Sequence, residues 1–175
     1  MPLIRLLLAI CTFRKGPQDI PASPALFGVI VFIYLTAGIF MVGMETGWQE
    51  GVLRVLTEGL LLGGCIWGLL VAVGNRNRFL QTATAAYASD TLVSAMTQIP
   101  LLMLMGGISS PDLTRRLMII LMLWHWSILG HILRHALSIR WALGMVLALA
   151  YILFSYNFIA MIFPPHIPVP GGNGG

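Results

Sequence analysis

The chain predicts an all-α integral membrane protein: a bundle of five transmembrane helices preceded by a short interfacial helix. Three observations carry this. Of 175 residues, 58% are hydrophobic and 9% charged, too few charges to cover a soluble domain. The apolar residues fall in runs of about 20 or more, the length a helix needs to cross roughly 30 Å of hydrocarbon. The ~10-residue alternation of a membrane β-barrel does not occur. Finally, the basic residues gather at alternate ends of those runs.

Pro2 to Phe13 is apolar but too short to span. Arg14 and Lys15 follow it instead of preceding it, and no small-residue cleavage site comes next, which argues against a signal peptide. The expectation is a helix on the cytoplasmic face, with Arg5, Arg14 and Lys15 among lipid headgroups. A loose apolar terminus is the alternative. Gly16 to Ser23 breaks the helix at Pro17 and Pro21. Residues 1–24 thus form an interfacial helix and a Pro-rich linker. Ser23-Pro24 reads as an N-cap and first helical position.

The transmembrane domain is expected over residues 25–163. Its first span, Ala25 to Met44, carries no charge. Glu45 to Glu50 forms an acidic loop, with Trp48 suited to the interface. In the second span, Gly51 to Val73, Arg54 and Glu58 stand four apart and can pair. Gly59 and Gly63, then Gly64 and Gly68, make two overlapping small-xxx-small faces for close helix packing. A substrate path along this glycine groove is the other reading.

Asn75 to Asp90 opens with Arg76 and Arg78 in a polar loop. It leads into the third span, Gln81 to Met105, whose first half is small and polar. An aspartate near a helix centre costs about 2.5–3.5 kcal/mol to insert, while each large aliphatic returns about 0.3–0.6. Leu92, Val93, Ile99, Leu101, Leu102 and Leu104 therefore only just offset Asp90. This helix should face the bundle interior, with Asp90 protonated or partnered. Gly106 to Thr114 is read as a turn. The fourth span, Arg116 to His135, holds His125 and His131 and ends on Arg134. Ser138 to Arg140 connect to the fifth span, Trp141 to Phe163. Residues 164–175 are a Pro/Gly tail, expected to be extended.

Five spans put the termini on opposite sides. Arg5, Arg14, Lys15, Arg76, Arg78, Arg134 and Arg140 fall on the N-terminal side; Arg54, Arg115 and Arg116 lie opposite. That bias predicts a cytoplasmic N-terminus and an external C-terminus. The net charge of +4 is accordingly a matter of topology and lipid contact, not of nucleic-acid binding.

From Asn75 onward the chain resembles the Yip domain family of polytopic membrane proteins. The likeness rests on Phe79-Leu80-Gln81-Thr82, Ala86-Tyr87-Ala88-Ser89 and Ile99-Pro100. Further on come Trp124 to Leu129, His131, His135-Ala136-Leu137-Ser138 and Arg140-Trp141-Ala142. The resemblance implies a five-helix bundle, a cytoplasmic N-terminus and no catalytic site. The eukaryotic branch, which binds Rab GTPases, usually carries a longer polar N-terminus. This chain looks more like a bacterial inner-membrane relative, with its C-terminus in the periplasm. Asp90 stands where the pattern favours an uncharged residue.

Depth along the helices sets Asp90, at about 13 Å, between His131 and His125, so either histidine could reach it. An intramembrane cluster of Asp90, His125 and His131 reads as a proton relay, or as a structural hydrogen bond joining two helices. His131 and His135 have ligand spacing, but no third ligand or HExxH accompanies them. No metal or cofactor is expected. Arg134, His135 and Arg140 could hold an anionic headgroup, yet no nucleophile stands nearby for a lipid-modifying enzyme. The primary expectation is therefore a non-enzymatic protein that packs against membrane components: the bilayer, and a membrane-protein partner or second copy. The alternative is a small ion- or proton-coupled transporter or channel using Asp90 with His125 or His131.

Overall fold

Serine followed by proline starts two of the long helices. In the computed structural model, which describes residues 3–164, Ser23 Oγ accepts from the Leu26 amide and Ser110 Oγ from the Leu113 amide. Each proline sits where its missing N–H costs nothing. The helices are α1 (Leu3–Cys11), α2 (Pro24–Thr46), α3 (Trp48–Ala72), α4 (Phe79–Met105), α5 (Pro111–Leu137) and α6 (Trp141–Ile162). Short 3₁₀ turns at Pro17–Asp19 and Arg76–Arg78 lead into α2 and α4. Among the described residues there is no strand, and α2 to α6 are each long and apolar enough to cross a membrane. The expected tail lies outside the described residues from Pro165 onward.

Two expected loops are shorter than expected. The stretch Gly106–Thr114 was expected to be a turn, but α5 already begins at Pro111. Between α2 and α3 only Gly47 is non-helical, at φ 93°, a conformation that costs glycine little. This one-residue hinge is tight because glycines face each other above it. A Cβ on Gly51 would stand 2.7 Å from the Gly43 Cα.

α4 is the hub. It packs on α2 and α5 along its length and on α1 and α3 more locally. Its run Thr82 to Tyr87 is wholly buried, because small side chains let neighbouring backbones approach. Pro100 is accommodated within the same helix, where Thr114 Oγ1 donates to its carbonyl at 3.4 Å. Around this hub the order is α3, α2, α4, α5, α6. α3 and α6 then meet only sparsely across the remaining face of α4, leaving a seam.

The end carrying the N-terminal segment and the arginines is sealed; we term it the basic end. Ile10, Cys11 and Ile20 are buried against Ala85, Val93, Ile128 and Ile132. The Trp124 indole N–H donates to the Cys11 carbonyl at 3.1 Å, and the Gln81 amide to the Ile20 carbonyl at 2.7 Å. α1 is thus seated in the groove between α4 and α5. Arg78 closes the same end. Its guanidinium donates to the carbonyls of His135 and Ala136 and to Ser138 Oγ, at 3.1, 3.4 and 3.1 Å. These groups lie at the negative end of the α5 dipole.

Candidate functional site

Of the two histidines on α5, the structure brings only His125 to Asp90. His125 Nε2 lies 3.1 Å from Asp90 Oδ1. At 1.5 Å per residue both stand about 17 Å from the basic end of their helices. His131 leaves the expected cluster. Six residues on, it has turned to another face of α5, where its Nε2 meets the Lys15 carbonyl at 2.9 Å. Carbonyl oxygens only accept, so Nε2 carries the proton there. The Phe13 and His135 rings pack edge-on against it at 5.4 and 4.6 Å. His131 therefore anchors the N-terminal segment and takes no part in the Asp90 group.

Asp90 and His125 border a cavity of about 200 Å³ under the α3–α6 seam, walled by Tyr34, Glu58, Tyr151 and Ser155. Both side chains of the pair remain partly exposed to it. The cavity continues along the seam, away from the basic end, into a second space of about 150 Å³ bordered by Arg54, Glu58, Tyr156 and Phe163. Arg54 Nε and Glu58 Oε1 pair there at 3.4 Å, as their spacing predicted. Toward the basic end only about 20 Å³ remains, between Leu62, Ser89 and Leu129. Beyond it Leu62, Ile66, Leu129 and Leu133 pack together. The result is a polar cleft that narrows toward the basic end, where leucines and an isoleucine pack together.

Four wall residues were not assigned to the site from the sequence: Tyr34, Tyr151, Ser155 and Tyr156. Tyr34 sits in an uncharged span and the others in the strongly apolar last one. Their only signal is a polar atom placed about 15 to 23 Å along an apolar helix, from near the depth of Asp90 to about a turn beyond it.

The glycine faces divide. Gly59 and Gly63 frame an aromatic contact inside the bundle. The Tyr87 hydroxyl donates to the Gly59 carbonyl at 2.6 Å, and a Cβ on Gly63 would stand 2.7 Å from that hydroxyl. The Tyr34 ring packs against Tyr87 at 4.9 Å. Gly64 and Gly68, by contrast, are exposed, with nothing within 4 Å of an added Cβ. Arg14, Lys15, Arg76, Arg134 and Arg140 lie in segments at the basic end; Lys15 Nζ pairs with Asp19 there at 3.5 Å. Among the described residues no three His, Cys, Asp or Glu side chains gather as metal ligands.

No family model, curated protein or solved structure matches this chain.

Proposed function

We propose that the chain is a polytopic membrane protein of the ion- or proton-coupled transport class, working through the cleft around Asp90. The observation behind this reading is the gathering of ionisable and hydroxyl groups from five helices into one cavity midway along the bundle. Such groups are costly in hydrocarbon and mark pathways where they occur. One acid and one histidine alone would make a structural bond as readily as a relay. Glu58, Arg54, Tyr34, Tyr151 and Ser155 supply what that pair lacks. A cleft closed by leucines on one side fits one half of an alternating-access cycle. With the N-terminus cytoplasmic, the opening faces the outside.

The test is flux in proteoliposomes. A pH jump should drive proton movement that Asp90→Asn lowers at least about 10-fold, the scale of one lost charge-assisted contact. Flux unchanged in Asp90→Asn would remove this reading.

A second reading has its own support. Gly64 and Gly68 form a bare small-residue face on α3, the kind that packs against another helix. A scaffolding or assembly role would use it, with a second copy or a membrane partner. Gentle extraction that yields only monomer would argue against that role. On either reading the resemblance to Yip domains would be one of architecture alone. Arg78, Tyr87 and the His135 to Ser138 stretch, which carry the resemblance, are engaged in holding helices together.

A further inference from the structure

We propose that the cleft binds an ammonium group, the head of a small organic cation, with Asp90 as its counter-charge and protonated His125 as its competitor. This rests on reading the cleft as a working site and specifies what occupies it. The walls carry two carboxylates, Asp90 and Glu58, against one guanidinium. Arg54 is held at Glu58, which among the described residues leaves Asp90 with His125 as its cationic partner. With the imidazole neutral the cavity is therefore one negative charge in excess, and an anion would be repelled.

Size and walls narrow the choice further. A cavity of about 200 Å³ is too wide to wrap a bare metal ion, whose oxygen ligands must close to about 2.0–2.6 Å. Three tyrosines, Tyr34, Tyr151 and Tyr156, border it. Aromatic rings beside a carboxylate are how proteins hold organic ammonium groups. The hydroxyls of Tyr34, Tyr151 and Ser155 add acceptors for its N–H bonds.

Competition follows from the 3.1 Å contact. A proton on His125 neutralises Asp90 as an ammonium would, so the two exclude each other. The charged and titratable groups around His125 are Asp90 from α4, Glu58 and Arg54 from α3, Tyr34 from α2, and Tyr151 and Tyr156 from α6. A free amine in water and the headgroup of an aminophospholipid share the required chemistry. The seam between α3 and α6 admits either one, the second from the side.

Ethanolamine titrated calorimetrically into the full chain in detergent tests the first source. Binding should be seen at about pH 8 and weaken about 10-fold or more at about pH 5. Asp90→Asn should weaken it by a similar factor. His125→Gln should keep the binding and lose the pH dependence; this arm stands even if Asp90→Asn fails to fold. Nanodiscs with phosphatidylethanolamine or with phosphatidylglycerol alone test the second source, through retention of the former on the purified protein. Binding of either amine with these responses supports the proposal. No binding of both, unchanged binding in Asp90→Asn, pH-dependent binding that persists in His125→Gln, or displacement by equimolar sodium would overturn it. Proton flux that depends on Asp90 without any amine binding would leave the transport reading standing and sink only this one.

Discussion

The two ends of the bundle are built from the same few residue types and behave in opposite ways. At the basic end, alanines and threonines of α4 draw α1, α2 and α5 together, and polar side chains are spent on backbone carbonyls: Arg78 on α5, Gln81 on Ile20, His131 on Lys15. At the other end, α3 and α6 stand apart and polar side chains face a cavity. The two histidines of α5 show the contrast in miniature. A carbonyl partner is fixed and neutral, so His131 is a strut. A carboxylate partner beside open space, as at His125, leaves room for exchange. Partner and free space, not depth, separate the two histidines.

The largest expected effect lies at the sealed end. A Cβ on Gly144 would stand 2.6 Å from the Gly130 carbonyl and 3.1 Å from the Arg134 amide, both backbone atoms. Gly144→Val should cost about 3 kcal/mol, the upper part of the overpacking range, measured by unfolding in mixed micelles. A neutral result would show that α5 and α6 are not closely packed there. Next comes His131→Ala, which should cost about 1–3 kcal/mol through the orphaned Lys15 carbonyl. It should also speed tryptic cleavage after Arg14, whereas His125→Ala should leave that rate alone. Equal cleavage in the two variants would erase the distinction between the histidines.

Asp90→Asn should change stability by less than about 1 kcal/mol, as for ion pairs that water reaches. A loss of about 3–5 kcal/mol would mean instead that the pair is dry and sealed. The smallest effect concerns Cys11, whose thiol burial pushes up to about 11 from 9.0. A raised value means that the docked segment favours the neutral thiol. Docking should be at full strength below pH 9.0 and weaken as pH climbs through about 11. Alkylation of Cys11 should therefore be slow at about pH 8, and faster in His131→Ala. Rapid labelling of the unaltered chain at that pH would place the thiol in the open.

Composition and run length were sufficient to read five membrane-length helices, since those depend on residues near each other in sequence. The Arg54–Glu58 pair was legible for the same reason. The start of α5 was misjudged although Ser110-Pro111 repeats the Ser23-Pro24 signal, because Gly106 and Gly107 drew the boundary too late. The choice between His125 and His131 could not be read. Depth follows from counting residues, but the face a side chain occupies depends on how each helix is rotated about its axis, which only packing sets. Tyr34, Tyr151 and Ser155 were hidden for that reason too, polar atoms thinly scattered along apolar spans.

Arg78 acts at two different times. Were α4 to enter a bilayer during synthesis, the helix that receives its guanidinium would follow it in the chain. At that moment the residue would be a free charge of the kind that biases how a hairpin is threaded. Once α5 arrives, the same side chain is consumed by the His135, Ala136 and Ser138 oxygens, and the choice can no longer be undone without breaking them. Lysine there would keep the vote and lose the forked grip.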